Sequence, residues 1–165
     1  MLRVTFSALA MSLALSSVMV TTASAAPVKN VASVGIKVSN AWIRVVPPVS
    51  DMSAAYLVIS NTGKKADTLL SASSPAFEDV ELHDTFRDGD KSGMRPVGEP
   101  ALPPGARVEL APGGKHLMLM GIRKPLVAGD KLPIELKFKS GIVKVDALVK
   151  DDEPEAQDAH THHHH

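Results

Sequence analysis

The chain has 165 residues, with 18 basic and 18 acidic side chains, no cysteine, and one Trp, one Tyr and four Phe. Balanced charge, no basic block in the body and few rings for bases to stack on exclude nucleic acid as a partner. Without cysteine there is no disulfide, no lipid attached through a thiol and no thiolate ligand for a metal.

The chain opens as an export signal. Arg3 supplies a positive start, an apolar run extends from Val4 to Val20, and Ala23-Ser24-Ala25 fits the small-x-small cleavage pattern. Cleavage is expected after Ala25. The alternative, an uncleaved membrane anchor, fits less well because the run holds several Ser and Thr residues. Residues 1–25 are therefore assigned to the signal, 26–34 to a flexible lead and 35–150 to one folded domain. Residues 151–165, "DDEPEAQDAHTHHHH", form a tail with almost nothing to bury, which composition marks as disordered. No second long apolar run follows, so no membrane insertion is expected after cleavage.

The domain reads as short strands separated by turn signals. "IKVSNAWIRVV" stops at Pro47-Pro48, "AAYLVIS" at the cluster "NTGKK", and "ADTLLSAS" at Ser74-Pro75. "FEDVELHD" alternates, with Val80 and Leu82 on one face and Glu81 and His83 on the other. "FRDGDKSGM" reads as a polar hairpin loop. "ALPPGARVEL" and "APGGKHLMLM" each open on Pro/Gly punctuation, and two more strands flank Ser140-Gly141. No window holds a helical period. The expected fold class is an all-β antiparallel sandwich of about eight or nine strands. Trp42 is expected to plug its core.

The stretch "KHLMLMG" carries the chemistry. As a strand it puts His116, Met118 and Met120 on one face and Leu117 and Leu119 on the other, where an ordinary core strand would favour Val or Ile. His83 and Met94 flank the polar loop with ten residues between them, and twenty-one residues separate Met94 from His116. Residues two apart on a strand lie about 6–7 Å apart on one face, close enough for His116 and Met118 to reach one ion. Thioether sulfur is soft and uncharged, and with imidazole it favours Cu(I). Zinc recruits thiolate, imidazole or carboxylate, while calcium and magnesium want oxygen. On spacing alone a bland reading stands beside this one, in which the methionines fill core gaps and the histidines are solvated polar residues. Met120 is read as packing next to the site; Met52, just before a strand, is placed to approach the site, with packing the favoured reading.

The pattern His83-x10-Met94-x21-His116-x-Met118 resembles the signature of the periplasmic copper chaperones called PCu(A)C. "AWIR" at 41–44, "AAYLVISNTG" at 54–63 and "GIRKPLVAGDKLPIELKF" at 121–138 are also similar to that family, so the resemblance covers roughly residues 38–149. Some members place a Met directly after the first His, where this chain has Asp84. The resemblance implies a cupredoxin-like Greek-key sandwich that binds one Cu(I) through His83, Met94, His116 and Met118. It further implies a monomer in a bacterial periplasm that delivers copper to the CuA centre of cytochrome c oxidase subunit II, sometimes together with a Sco-type thiol protein. A periplasmic copper-sequestering or resistance protein with no dedicated acceptor is the alternative, and a metal-free adhesion module is a third reading.

Without a Cys thiolate the chain cannot build a blue-copper electron-transfer centre. Nor does it carry a nucleophile elbow, a phosphate loop or an H-E-x-x-H helix, so no enzyme is expected. His160, His162, His163, His164 and His165 in the tail are expected to capture Cu(II) and raise the copper concentration near the Cu(I) site, unless the run is a purification tag.

Overall fold

The structure is a computed structural model that describes residues 35–89 and 91–151. The expected signal over 1–25, the lead over 26–34 and the tail beyond Asp151 lie outside these residues. The described residues form strands and turns: β1 (Ile36–Arg44), β2 (Met52–Asn61), β3 (Asp67–Ser73), β4 (Asp79–Asp88), β5 (Lys91–Pro96), β6 (Ala101–Leu102), β7 (Arg107–Leu110), β8 (Lys115–Met120), β9 (Lys131–Phe138) and β10 (Gly141–Lys150).

The strands follow the order β5-β4-β8-β2-β1-β10-β9-β3-β6, with β7 paired to the C-terminal half of β2. All pairings are antiparallel except β1 with β10, which runs parallel. The path curls back so that β3 packs against β4. Alternation drives this arrangement: Leu117 and Leu119 of β8, Ile134 and Leu136 of β9, Ile59 of β2 and Val149 of β10 are all fully buried in one core. Their neighbours in sequence point out of the sandwich. The fold is all-β and cupredoxin-like, as expected.

Three local expectations are corrected. The segment "FRDGDKSGM" is strand, not loop: β4 runs on to Asp88 and β5 starts at Lys91, so His83 and Met94 lie within strands rather than at their ends. The described residues of this segment are half-buried or exposed and none belongs to the core, so it shows no apolar alternation. Counting it as strands, with the two-residue β6, raises the number above eight or nine, to ten among the described residues.

Trp42 does not plug the core. Between Ser39 and Trp42 the β1–β2 register gains a residue, and Asn40 adopts a left-handed φ of 54°. Ile36 and Val38 face inward, and unbroken alternation would carry Trp42 inward too. The bulge inverts the parity, so Ile43 is buried at 0% exposure and Trp42 stands on the outer face.

Candidate metal centre

The outer face of β5, β4, β8 and β2 is a set of rungs fixed by register. His83 on β4 is the direct partner of His116 on β8. Opposed residues share a face, with Cβ atoms about 4.5–5.5 Å apart. Their ring centroids lie 6.1 Å apart. Two imidazoles that share one ion through bonds of about 2.0–2.1 Å place their centroids roughly 5–6 Å apart. The observed separation needs little adjustment to meet that.

The thioethers approach from opposite ends of this rung. Met118 pairs with Glu81, two residues along β4 from His83, and Met94 pairs with Thr85, two residues the other way. Met94, His116 and Met118 line one groove of about 340 Å³, together with Arg44, Val46, Met52, Ser53, Ala54, Tyr56, Thr85 and Gly113. His83 stands beside the groove, one strand over from His116. The four residues singled out in the sequence thus occupy one face of neighbouring strands.

Hydrogen bonds orient both rings. The Nδ1–H of His116 donates to the Gly114 carbonyl at 3.0 Å, which leaves the lone pair on Nε2. That carbonyl comes from the "PGG" turn before β8 and also accepts from the Thr85 N–H at 3.2 Å. His83 Nε2 donates to Glu81 Oε2 at 2.9 Å. Its Nδ1 is buried and has no hydrogen-bond partner. A buried nitrogen lone pair without a partner is costly unless something binds it, and a metal ion fits that need. Among the described residues no three His, Cys, Asp or Glu side chains come together. A carboxylate- or imidazole-rich site for a harder cation is therefore not built there.

The distribution of residue types decides the character of the face. The described residues contain two histidines, His83 and His116, and four methionines, Met52, Met94, Met118 and Met120. Register places all six on this outer face, because Met52 opposes Met120 and Met120 opposes Asp79. None of the methionines belongs to the core. Gap-filling methionines would be found among the buried leucines and isoleucines, and these are not.

A family model, LpqE-like, matches residues 36–149. The chain belongs to the LpqE-like family. The chain is 36% identical over 108 residues to Lxx21020 of Leifsonia xyli subsp. xyli, covering 65% of this chain and 64% of that protein, so it spans less than two thirds of that relative. Among solved structures, the copper-bound PCuAC domain from PmoF2 matches with a TM-score of 0.60 and 29% identity, over 72% of this chain and 94% of that one. The Cu(I) form of DR1885 from Deinococcus radiodurans matches with a TM-score of 0.56 and 32% identity, over 68% of this chain and 76% of that one. This LpqE-like chain therefore has the fold of PCuAC domains.

Several neighbours of the centre were not assigned to it from sequence. Packing is the favoured sequence reading of Met52 and approach to the site the lesser one; the structure has it 47% exposed and lining the groove. Met120 lies across from it at partial burial. Tyr56 is 4% exposed, with its ring 6.4 Å from that of His116 and 4.5 Å from that of Trp42, and the Arg44 guanidinium lies 5.5 Å from the Tyr56 ring. Alternation along β2 puts Met52, Ala54 and Tyr56 on the face of Met118, but which face β2 shares with β8 is settled only by the pairing.

Proposed function

We propose that the protein is an exported copper chaperone that binds one Cu(I) through His83, Met94, His116 and Met118 and passes it on by ligand exchange. The observation that carries this reading is the placement of every histidine and methionine of the described residues on one outer face. The donor set is uncharged and soft, which suits a monovalent copper ion. Two similar structures, the copper-bound PmoF2 domain and Cu(I)-DR1885, hold copper on the same fold, which supports a PCuAC-type copper-binding role. The role is binding and release, with no covalent chemistry.

Export is supported by the signal-like start and by the lipoprotein family to which the chain belongs. We assign the protein to the periplasm as a monomer, with the CuA centre of cytochrome c oxidase subunit II as acceptor and a Sco-type protein as co-worker. Sequestration without an acceptor is the competing outcome.

The test is anaerobic titration of the reduced protein with Cu(I) against a competing chelator, with Met118→Ala and His83→Ala alongside. One tight equivalent, weakened at least tenfold by each substitution, is expected. Unchanged affinity in both variants overturns the site. Mixing the loaded protein with apo subunit II then separates the two roles, since copper that never leaves leaves only sequestration.

A further inference from the structure

The rungs beside the proposed Cu(I) centre continue beyond it. Tyr56 stands beside the His83/His116 rung, its ring 6.4 Å from that of His116; on the next rung are Glu81, Met118 and Ala54, and on the third are Asp79, Met120 and Met52. Two successive rungs therefore pair a carboxylate with a thioether, and the outermost adds a second thioether. Met52 and Met120 are direct cross-strand partners, and Met52 lines the groove and is about half exposed. Asp79 is exposed, and its Oδ1 accepts the Val80 N–H at 2.8 Å, which holds the carboxylate close to the strand.

We propose that Met52 and Met120, with Asp79 beside them, form a second and weaker station for a soft monovalent cation, an entry and exit point for the main centre. The inference rests on the Cu(I) reading of the neighbouring site. Opposed residues bring their Cβ atoms to about 4.5–5.5 Å, and rotation about the Cα–Cβ and Cβ–Cγ bonds of each methionine can bring the two sulfurs onto one ion. Two thioethers select for softness, and a nearby carboxylate raises the local concentration of a cation without being a preferred ligand for it. With two sulfurs and no imidazole, this station holds the ion less firmly than the centre two rungs away. A cation captured here has Met118 as its next neighbour on β8, and Met118 is a ligand of the main centre. The core face of β8 is supplied by Leu117 and Leu119, and neither Met52 nor Met120 belongs to the core.

The test uses the full chain labelled with ¹³C at the methionine methyl groups and titrated with Ag(I), a redox-inert soft cation, up to four equivalents. The methyl signals of Met94 and Met118 are expected to move first. Those of Met52 and Met120 should move in a later step, with an affinity at least tenfold lower. Met52→Leu and Met120→Leu, which conserve volume, should each abolish the later step and leave the first intact, and Asp79→Asn should weaken the later step severalfold. Signals of Met52 and Met120 that stay fixed through four equivalents, while Met94 and Met118 respond, overturn the second station and leave the main centre standing. If Met94 and Met118 also fail to respond, the Cu(I) reading falls with it.

Discussion

Glu81→Ala tests which nitrogen of His83 meets the metal. Glu81 Oε2 accepts from His83 Nε2 at 2.9 Å, and the partnerless, buried Nδ1 is left as the donor atom. Glu81 then supports the ligand by fixing its tautomer and ring orientation. Loss of such a partner typically costs 10–100-fold in metal affinity. The carboxylate is 47% exposed while the imidazole is only 12% exposed, so water screens part of the interaction. The expected loss is therefore at the low end, about tenfold, or about 1.4 kcal/mol. Glu81→Gln keeps an acceptor oxygen and should retain most of the affinity. The assay is chelator competition for Cu(I), joined to ¹⁵N spectra of the imidazole, in which Nδ1 of His83 should shift on binding. A Glu81→Ala variant that binds more tightly refutes the reasoning. It would mean that copper takes Nε2 and that Glu81 competes with it.

The remaining predictions concern the scaffold and the tail. Asp67 is 6% exposed; burial alone would raise its pKa, but the Ser140 hydroxyl and the N–H groups of Thr68, Ser140 and Lys139 outweigh this and hold it below the ordinary carboxylate value. A depressed folded-state pKa gives stability that is present above the unfolded value and lost as pH falls through the folded one. Asp67→Asn should therefore cost about 1–3 kcal/mol at pH 7, read as a lower melting temperature, with the gap from the parent closing in strong acid. Equal gaps at all pH values would contradict this. Gly121 has φ of 65°, and a Cβ there would collide with the Glu78 side chain, so Gly121→Ala should destabilise by more than about 1 kcal/mol in urea melts. Removing residues after Asp158 should abolish Cu(II) capture and spare Cu(I) affinity. Cu(II) binding that survives the truncation removes the tail from the account.

What could be read from sequence depended on whether a segment has one face in the core. Along "KHLMLM" the alternation is complete, and the structure buries Leu117 and Leu119 in the core while His116 and Met118 line the groove and Met120 shares their face, because β8 lies between two partners over the core. The β4–β5 hairpin has no such constraint past Asp84, and its polar sequence hid the outer part of β4 and most of β5. The Trp42 error has a different cause. One extra residue inverts a strand, and the only mark in sequence is Asn40, a residue that tolerates a left-handed conformation, amid strand formers. Met52 shows a third kind of limit, since packing and groove-lining roles have the same local sequence. The choice between them is made by strand order, which brings β2 beside β8 across a long stretch of chain.

The proposed chaperone must bind firmly and still let go, and the two halves of the candidate centre are built differently. His116 is 5% exposed, tied to Gly114, and carried on a strand whose neighbours Leu117 and Leu119 are fully buried. Movement of that imidazole would cost core packing. Met94 is 55% exposed on β5, the edge strand at one end of the sheet order. A thioether on an edge strand can swing away without disturbing the core, and its place can be taken by a sulfur or imidazole from outside. Exchange should thus begin at Met94, with the histidine rung holding copper until the incoming ligand is in place. Because the Met94 thioether is neutral, its departure in the proposed hand-over separates no opposite charges, which keeps that electrostatic barrier low.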